Sequence, residues 1–286
     1  MSAENLGHFT LSVPIPPKET DYVGAKSALF IPTENVVNSG FESSLVNPGI
    51  MVTRDAEILL SSIDEQSRNF GSRNTAEAWG PLEMDPSRQQ LIVYSLITSG
   101  DSMLLYRRAS SGETRLSGNA SVGFGGHTEA KDALEIGIFH ELTEGSGEFI
   151  ETERQDGSMR QAIDRELEEE LGLRSDDVDL KVIGAFYEKF SEEELSDKNK
   201  IPVGSVHTCI IAAARISPDV AMITLQRDEI AEASWVKISD ISNVLQALIE
   251  QGVGVDNWTH IAVSEFEDVL KTFDGEAVDL PEIVID

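Results

Sequence analysis

The chain has 286 residues, of which 40% are hydrophobic, and it carries a formal net charge of -29 at pH 7. This hydrophobic content is enough for a packed core, whereas so acidic a chain is not expected to bind nucleic acids or anionic membranes, which attract basic proteins. No apolar run approaches the roughly 20 residues of a membrane span, and the N-terminus lacks the pattern of a signal peptide. The single cysteine, Cys209, cannot form an internal disulfide bond, which favours a reducing, cytoplasmic environment.

The first 88 residues contain no catalytic pattern and few large apolar side chains. Their prolines exclude a long helix, and short strands are predicted at 28–31 and 49–52, with a short helix at 55–63. We therefore predict that residues 1–88 form an N-terminal extension that packs on the core instead of folding independently.

A hairpin opens the main domain, which we place at residues 89–273. Residues 90–98 are rich in apolar and β-branched side chains, and this predicts a buried strand. A turn signal and a second apolar segment, 103–108, predict the returning strand. Arg107 and Arg108 end that strand, and each is either an ordinary surface charge or a contact for a substrate phosphate.

Glycines are dense in residues 123–127, which read Gly-Phe-Gly-Gly-His. Such a loop lets the backbone approach a ligand closely, so Gly125, Gly126 and His127 are candidates for binding substrate. Glycine-rich turns are common, and this segment alone is weak evidence.

Residues 158–173 predict a helix, because Ser158 can cap it, its interior consists of good helix formers, and Gly172 can end it. Glu166, Glu169 and Glu170 fall on one flank of this helix at roughly 100° per residue, beside an apolar stripe that faces the core. Crowded carboxylates repel one another, and a divalent cation such as Mg²⁺ converts that repulsion into binding. The alternative is an ordinary solvated acidic face.

The residue pattern of 165–173 favours the metal-binding interpretation over the solvated acidic face. They match, position for position, the second half of the signature of the Nudix hydrolases: Arg-Glu, an aliphatic residue, any residue, Glu-Glu, any residue, Gly and an aliphatic residue. The segment 123–127 resembles the glycine-rich entry to that signature. A subgroup of bacterial Nudix proteins, mostly without an assigned substrate, is similar over about residues 88–260.

The first half of the signature departs from the family. There, a Gly lies fourteen residues before the Arg and a Glu lies eight before it, whereas here Gly157 stands eight residues before Arg165. We interpret this as an insertion at 128–157, a short helix and a flexible loop, with the first Glu absent or displaced. Acidic loop residues are usually just solvated, but the candidates to replace that Glu are Glu148, Glu151, Glu153 and Asp156.

Two strands are predicted after the helix, at 178–187 and 206–214. His207 and Cys209 share one face of the second strand, but zinc normally has three or four protein ligands and no partner spacing is evident. His207 is therefore a candidate for lining the site, the alternative being an ordinary strand histidine.

The remainder of the chain predicts helices at 238–251 and 257–273 and an acidic tail at 274–286. Nudix enzymes often take one more carboxylate from a loop beyond the signature. Glu229 and Glu232 are the leading candidates for that carboxylate, followed by Glu188.

The resemblance implies an α/β fold, a Nudix-type α/β/α sandwich with a mixed sheet. It also implies hydrolysis of a diphosphate bond with Mg²⁺ or Mn²⁺, typically in a nucleoside diphosphate linked to another group. Glu166, Glu169 and Glu170 would hold the metal, Arg165 would orient Glu169, and the protein would act on a small phosphorylated substrate, alone or as a homodimer.

The sequence leaves two alternative functions open. One is a catalytically silent Nudix-fold module that binds a ligand or regulates, which Gly157 at the first-Glu position and the insertion favour. The other, weaker, is a diphosphate isomerase on the same fold.

Overall fold

The computed structural model describes residues 27–44, 47, 49–54, 59, 69–72, 85–109, 117–129, 132, 157–195, 203–272 and 278–286. The helix expected at 55–63, except for Leu59, and most of the insertion 128–157 lie outside these residues. So do the four acidic residues that were candidates to replace the first Glu.

A mixed sheet forms the centre of the described fold. It is built from eleven of the described strands, and a separate pair is made by β11 and β13. The strands are β1 (Ser27–Pro32), β2 (Glu42–Ser43), β3 (Ile50–Thr53), β4 (Asn69–Ser72), β5 (Arg88–Ser99), β6 (Ser102–Arg108), β7 (Ala120–Ser121), β8 (Gly123–Phe124), β9 (Val178–Glu188), β10 (His207–Ile216), β11 (Met222–Leu225), β12 (Ile230–Lys237) and β13 (Glu282–Ile285).

The main path through this sheet runs β12-β6-β5-β10-β9-β3-β2. Strands β5 and β10 are parallel, and the other pairings along the path are antiparallel. The N-terminal strands belong to the same sheet, since β1 pairs with β5 and β3 pairs with β9. Residues 27–54 therefore contribute directly to the sheet that carries the main domain.

Helices cover both faces of the sheet. They are α1 (Thr33–Val37), α2 (Gly157–Leu171), α3 (Ile241–Glu250) and α4 (Asn257–Thr272). One core joins a sheet face to α2, and the second core joins the opposite face to α3 and α4. The predicted α/β/α sandwich with a mixed sheet is thus confirmed, and among the described helices none has the length and apolar character needed to cross a membrane.

The end of the chain, expected to be an acidic tail, includes a strand within its described part. Strand β13 pairs in parallel with β11, from Met222 opposite Glu282 to Leu225 opposite Ile285. Trp235 of β12 donates a hydrogen bond from its indole nitrogen to the carbonyl of Pro281 at 2.9 Å. These contacts attach residues 281–285 to the sheet.

Candidate functional site

The acidic helix α2 positions the candidate carboxylates as its apolar pattern predicts. Ile163, Leu167 and Leu171 are buried in the core beneath the sheet. Gly172 ends the helix with φ +66°, a left-handed conformation that favours glycine, and its N–H donates to the carbonyl of Glu168. Burial of this stripe fixes the rotation of the helix, so the flank that carries the glutamates faces the glycine-rich loop.

Glu170 is hydrogen-bonded to the backbone of that loop. Its carboxylate accepts a hydrogen bond from the N–H of Gly125. Burial is the main cause that raises the pKa of Glu170 to about 8, and the negative charges of Glu166 and Glu229 raise it further. Arg108 opposes this effect, which places a guanidinium within electrostatic reach of the same carboxylate.

Glu166 is packed against the next residue of the loop. A Cβ atom added to Gly126 would lie 2.5 Å from Glu166 Oε1, so a side chain at this position would require the Glu166 carboxylate to move. Burial raises the pKa of Glu166, and its contact with Arg165, at 2.7 Å between Nη1 and Oε1, offsets only part of that rise.

Arg165 connects three parts of the site. Its Nη1 contacts Glu169 Oε2 at 3.2 Å, the predicted contact one helical turn away, and its Nη2 donates to the carbonyl of His127 at 2.9 Å. Its Nε and Nη2 also donate to the two carboxylate oxygens of Asp132, at 2.8 and 3.1 Å. Glu169 itself is 52% exposed.

Asp132 is a site residue that the sequence reasoning missed. Its side chain is only 3% exposed, and it accepts a further hydrogen bond from the N–H of Glu129 at 2.7 Å. It stands six residues after Gly126, the same offset that separates the Gly and the first Glu of the Nudix signature. Counting backward from Arg165 hid this match, because 33 positions separate Asp132 from Arg165 instead of eight.

The carboxylates form a donor set suited to a hard divalent cation. Glu170 is in electrostatic contact with Glu166 and Glu229, and two of these acids carry raised pKa values because they are buried together. Oxygen ligands of this kind are those that Mg²⁺ and Mn²⁺ prefer. In the described residues no three such side chains are arranged around a common point, since Glu166 and Glu169 are turned toward Arg165.

The two candidate arginines lie on opposite faces of β6, as expected for consecutive residues of a strand. Arg108 lies over the ring of Tyr106, 5.6 Å from its centroid, on the face that packs against α2. Arg107 instead pairs with Glu232 of the neighbouring strand β12, at 3.0 Å between Nε and Oε1. The structure therefore brings Arg108 to the carboxylates and leaves Arg107 and Glu232 on the other face.

The two candidate histidines meet beside the loop. His127 Nε2 lies 3.3 Å from His207 Nε2, and the two rings are in an edge-to-face arrangement. Cys209 is fully buried in the core formed with α3 and α4.

The candidates for one more carboxylate from beyond the signature lie in different parts of the structure. Glu229 lies close enough to Glu170 for its negative charge to raise the pKa of that carboxyl. The segment that contains Glu229 also contacts α2, because the side chain of Gln226 donates a hydrogen bond to the carbonyl of Glu169. Glu188 lies elsewhere and accepts hydrogen bonds from Asn257 and Trp258, both at 3.2 Å. Of these candidates, Glu229 is the one positioned near the helix carboxylates.

Comparison with known proteins gives one family. A family model described as the NUDIX domain matches residues 88–254, more than half of the chain. Protein YmaB of Bacillus subtilis (strain 168) is 32% identical over 164 residues, which are 57% of this chain and 66% of that protein. The chain thus spans just under two thirds of the length of this relative.

Solved structures resemble the chain less closely. The crystal structure of Tm1382 is 17% identical, with 85% of this chain and 99% of that chain covered and a TM-score of 0.48. A NUDIX-family hydrolase from Clostridium perfringens is 15% identical, with 64% and 98% covered and a TM-score of 0.34. Scores below 0.5 are too low to assign a fold, so the family assignment rests on the match over residues 88–254.

Proposed function

The chain belongs to the Nudix family, and on this basis we propose that it is a metal-dependent hydrolase of diphosphate bonds. The observation that carries the proposal is that Glu170 accepts a hydrogen bond from the N–H of Gly125, Glu166 lies against Gly126, and both Glu166 and Glu229 lie within electrostatic reach of Glu170. Glu166 and Glu170 are partly buried and repel one another; such an arrangement has little structural value, whereas it binds a divalent cation well.

Glu166 and Glu170 would hold the metal, with Glu169 or Glu229 completing the set. A bound Mg²⁺ or Mn²⁺ would neutralise phosphate charge and lower the pKa of an attacking water molecule. Arg165 holds Glu166 and the carbonyl of His127 in place, so it is a positioning residue. A member of the same group of carboxylates would accept the proton of the water, and the hydrogen bond from the N–H of Gly125 would help to orient Glu170.

Arg108 supplies the positive charge for the substrate. Its Nε atom is buried without a hydrogen-bond partner among the described residues, and its guanidinium lies near Glu170. A diphosphate bound between the metal and Arg108 would satisfy this donor. A chain with a net charge of -29 needs such local positive charge to admit an anionic substrate.

The substrate class that we propose is a small nucleoside diphosphate derivative, which the bound metal would present to the water. Cytoplasmic location is proposed because Cys209 is a free thiol. We also expect a homodimer, which the resemblance to Nudix proteins implies. The net charge of -29 makes nucleic acids and anionic membranes unsuitable partners.

The alternative of a silent Nudix-fold module rested on the missing first glutamate and on the insertion. Asp132 carries a carboxylate at that offset and pairs with Arg165 at 2.8 Å, so the first of these features no longer favours the module. Among the described residues, no contact favours a diphosphate isomerase.

The test is a screen of nucleoside diphosphate derivatives for phosphate or nucleotide release, with and without Mg²⁺ and Mn²⁺. We expect metal-dependent turnover by the wild type, a loss of at least about a hundredfold in kcat for Glu170→Gln, comparable to removal of one strong electrostatic contact, and no change for Glu168→Gln. Glu168 is a matched control because it lies on the exposed side of the same helix. Ligand binding without turnover on any compound would contradict the proposal.

A further inference from the structure

One buried tyrosine contacts both the segment that leads into the glycine-rich loop and the arginine proposed to bind phosphate. Tyr106 lies on β6 and packs in the core between the sheet and α2. Its hydroxyl donates a hydrogen bond to the carbonyl of Gly123 at 2.8 Å. Its ring lies beneath the guanidinium of Arg108. Tyr106 therefore connects two parts of the site that come from different segments of the chain.

The hydroxyl of Tyr106 is a dependable hydrogen-bond donor. Burial raises the pKa of Tyr106, and the positive charge of Arg108 opposes only part of that rise, so the hydroxyl stays protonated at neutral pH. Gly123 is buried as well. A buried polar group that loses its partner has no water to replace it, so removal of this hydroxyl would disturb the backbone at Gly123.

The ring of Tyr106 packs against the next residue of the same segment. Phe124 is fully buried, and its ring centroid lies 4.4 Å from that of Tyr106. Tyr106 thus contacts both residues that precede Gly125, whose N–H donates to the carboxylate of Glu170. The direction of that N–H follows from the backbone of Gly123 and Phe124, so the two contacts of Tyr106 hold it toward Glu170.

A second tyrosine bounds the same segment on its other side. A Cβ atom added to Gly123 would lie 1.9 Å from the ring of Tyr94, so the two residues are in close contact. The hydroxyl of Tyr94 shares hydrogen bonds with the hydroxyls of Ser121 and Thr259, at 3.1 and 3.0 Å. Gly123 therefore lies between two tyrosines that are each held by hydrogen bonds, and it has little room to shift.

The ring of Tyr106 also orients Arg108. The two residues are two positions apart on β6, so their side chains lie on one face of the sheet, and the guanidinium carbon lies 5.6 Å from the ring centroid. The face of an aromatic ring attracts a guanidinium, more strongly where water is excluded. This contact uses none of the N–H donors of Arg108, and its Nε has no hydrogen-bond partner within the described part of the chain.

We propose that Tyr106 is a positioning residue with two separable roles: its hydroxyl sets the Gly125 N–H that orients Glu170, and its ring sets the guanidinium of Arg108. This inference rests on the proposed hydrolase function and adds to it a residue that acts only through others. The hydroxyl then affects the rate of the chemical step, and the ring affects the binding of the substrate.

The kinetic test compares Tyr106→Phe with Tyr106→Leu on the best nucleoside diphosphate derivative of the metal-dependent screen. Tyr106→Phe removes the hydroxyl and keeps the ring, so we expect kcat to fall about tenfold, the effect of roughly one hydrogen bond, with the KM of the wild type. Tyr106→Leu removes both, so KM should also rise about fivefold. In an Arg108→Ala background the exchange of Phe for Leu should leave KM unchanged, because contacts that act through one group are not additive.

Tyr187→Phe is the matched control. Tyr187 lies in the same core and has a similar ring contact, with Phe41 at a centroid distance of 5.0 Å, but its hydroxyl makes no hydrogen bond to any described residue. This variant should keep the kcat and KM of the wild type, and urea unfolding confirms that each variant is folded. An equal fall of kcat in Tyr187→Phe and Tyr106→Phe, or wild-type kcat in Tyr106→Phe, would overturn the role of the hydroxyl. Equal KM values in Tyr106→Phe and Tyr106→Leu would overturn the role of the ring.

A measurement that does not depend on turnover separates this inference from the hydrolase proposal. Hydrogen exchange at the N–H of Gly125 is followed by NMR in the metal-free protein. We expect exchange to be about tenfold faster in Tyr106→Phe than in the wild type, and unchanged in Tyr187→Phe. The same exchange rate in all three proteins would contradict the positioning of Gly125. Faster exchange in Tyr106→Phe would support it even if the wild type turned over no diphosphate, a result that contradicts the hydrolase proposal alone.

Discussion

Arg165 and Asp132 form two parallel hydrogen bonds, at 2.8 and 3.1 Å, although 33 positions separate them in the sequence. The pair joins the acidic helix α2 to the segment that follows the glycine-rich loop. Because the same guanidinium also contacts Glu166 and the carbonyl of His127, the pair fixes the loop relative to the proposed metal ligands.

Replacement of Asp132 by Ala should destabilise the protein and disturb the site. Arg165 is 14% exposed and would lose its main partner, and breaking a buried pair in this way costs about 3 kcal/mol. The free energy of unfolding by urea measures the first effect, and kcat with a fixed metal concentration measures the second, which we expect to fall about tenfold or more.

The control for this prediction is Asp164→Ala. Asp164 pairs with Arg160 one turn away on the same helix, and that arginine is 39% exposed. Pairs of this kind contribute about 0.5 kcal/mol or less. A loss of stability in Asp132→Ala no larger than in the control would mean that the Arg165 pair does not fix the loop.

Gly126→Ala should reduce turnover without large loss of stability. The added Cβ would lie 2.5 Å from Glu166 Oε1, so the carboxylate must move away from the loop. We expect kcat to fall about tenfold or more, because small displacements of catalytic groups have large effects. Gly49→Ala is the control, since its Cβ would meet only Asn47 at 3.4 Å; similar activity of the two variants would show that the loop tolerates a side chain.

Arg108→Ala and Arg107→Ala should differ although the residues are adjacent. Arg108 lies near Glu170, whereas Arg107 pairs with Glu232 on the opposite face. Loss of a charged contact with a phosphate should raise KM about tenfold in the first variant. The second should retain the KM of the wild type, and steady-state kinetics that show the reverse order would exclude Arg108 as the phosphate contact.

The stability of the metal-free protein should fall as pH rises, because the pKa of Glu170 is raised to about 8 in the folded state. The folded state binds the proton of Glu170 more tightly than the unfolded state does. The contribution of this proton to the free energy of unfolding is fully present below the pKa of Glu170 in the unfolded chain, and it is lost as the pH rises from there to about 8. Each unit of pKa shift corresponds to about 1.4 kcal/mol.

Glu170→Gln should therefore be more stable than the wild type at pH 8 and equal to it near pH 4.5, when both are measured in a chelator by urea unfolding. Glu168→Gln, with an exposed carboxylate, should follow the wild type at every pH. The same pH slope in the wild type and in Glu170→Gln would show that this carboxyl is not the group responsible.

The sequence predicted the elements whose signals are local. Strands β5, β6, β9 and β10 and helices α2 and α4 appear close to their predicted positions, because each carries a clear apolar pattern with a turn or glycine signal at an end. The pairing of β1 with β5 and of β3 with β9 could not be predicted, since contacts between distant segments leave no periodic signal in either one.

The site was predictable in part for similar reasons. The helix glutamates follow from the signature, and the choice of Arg108 over Arg107 follows from the alternation of a strand, once the face packed against α2 is known. Asp132 was missed because the insertion changes the number of residues between the first acidic position of the signature and Arg165. The spacing of six residues after Gly126, which the insertion leaves unchanged, identifies it. The meeting of His127 with His207 depends on the register of β5 against β10, which no single segment encodes.

Direct titration of the metal-free protein with Mn²⁺, followed by calorimetry, tests the grouping of carboxylates most directly. We predict stoichiometric binding by the wild type and by Glu168→Gln. Binding should be weakened about tenfold or more in both Glu166→Gln and Glu170→Gln, since each loses a charged oxygen ligand. Equal Mn²⁺ affinity in all four proteins, or no binding by the wild type, would contradict this prediction.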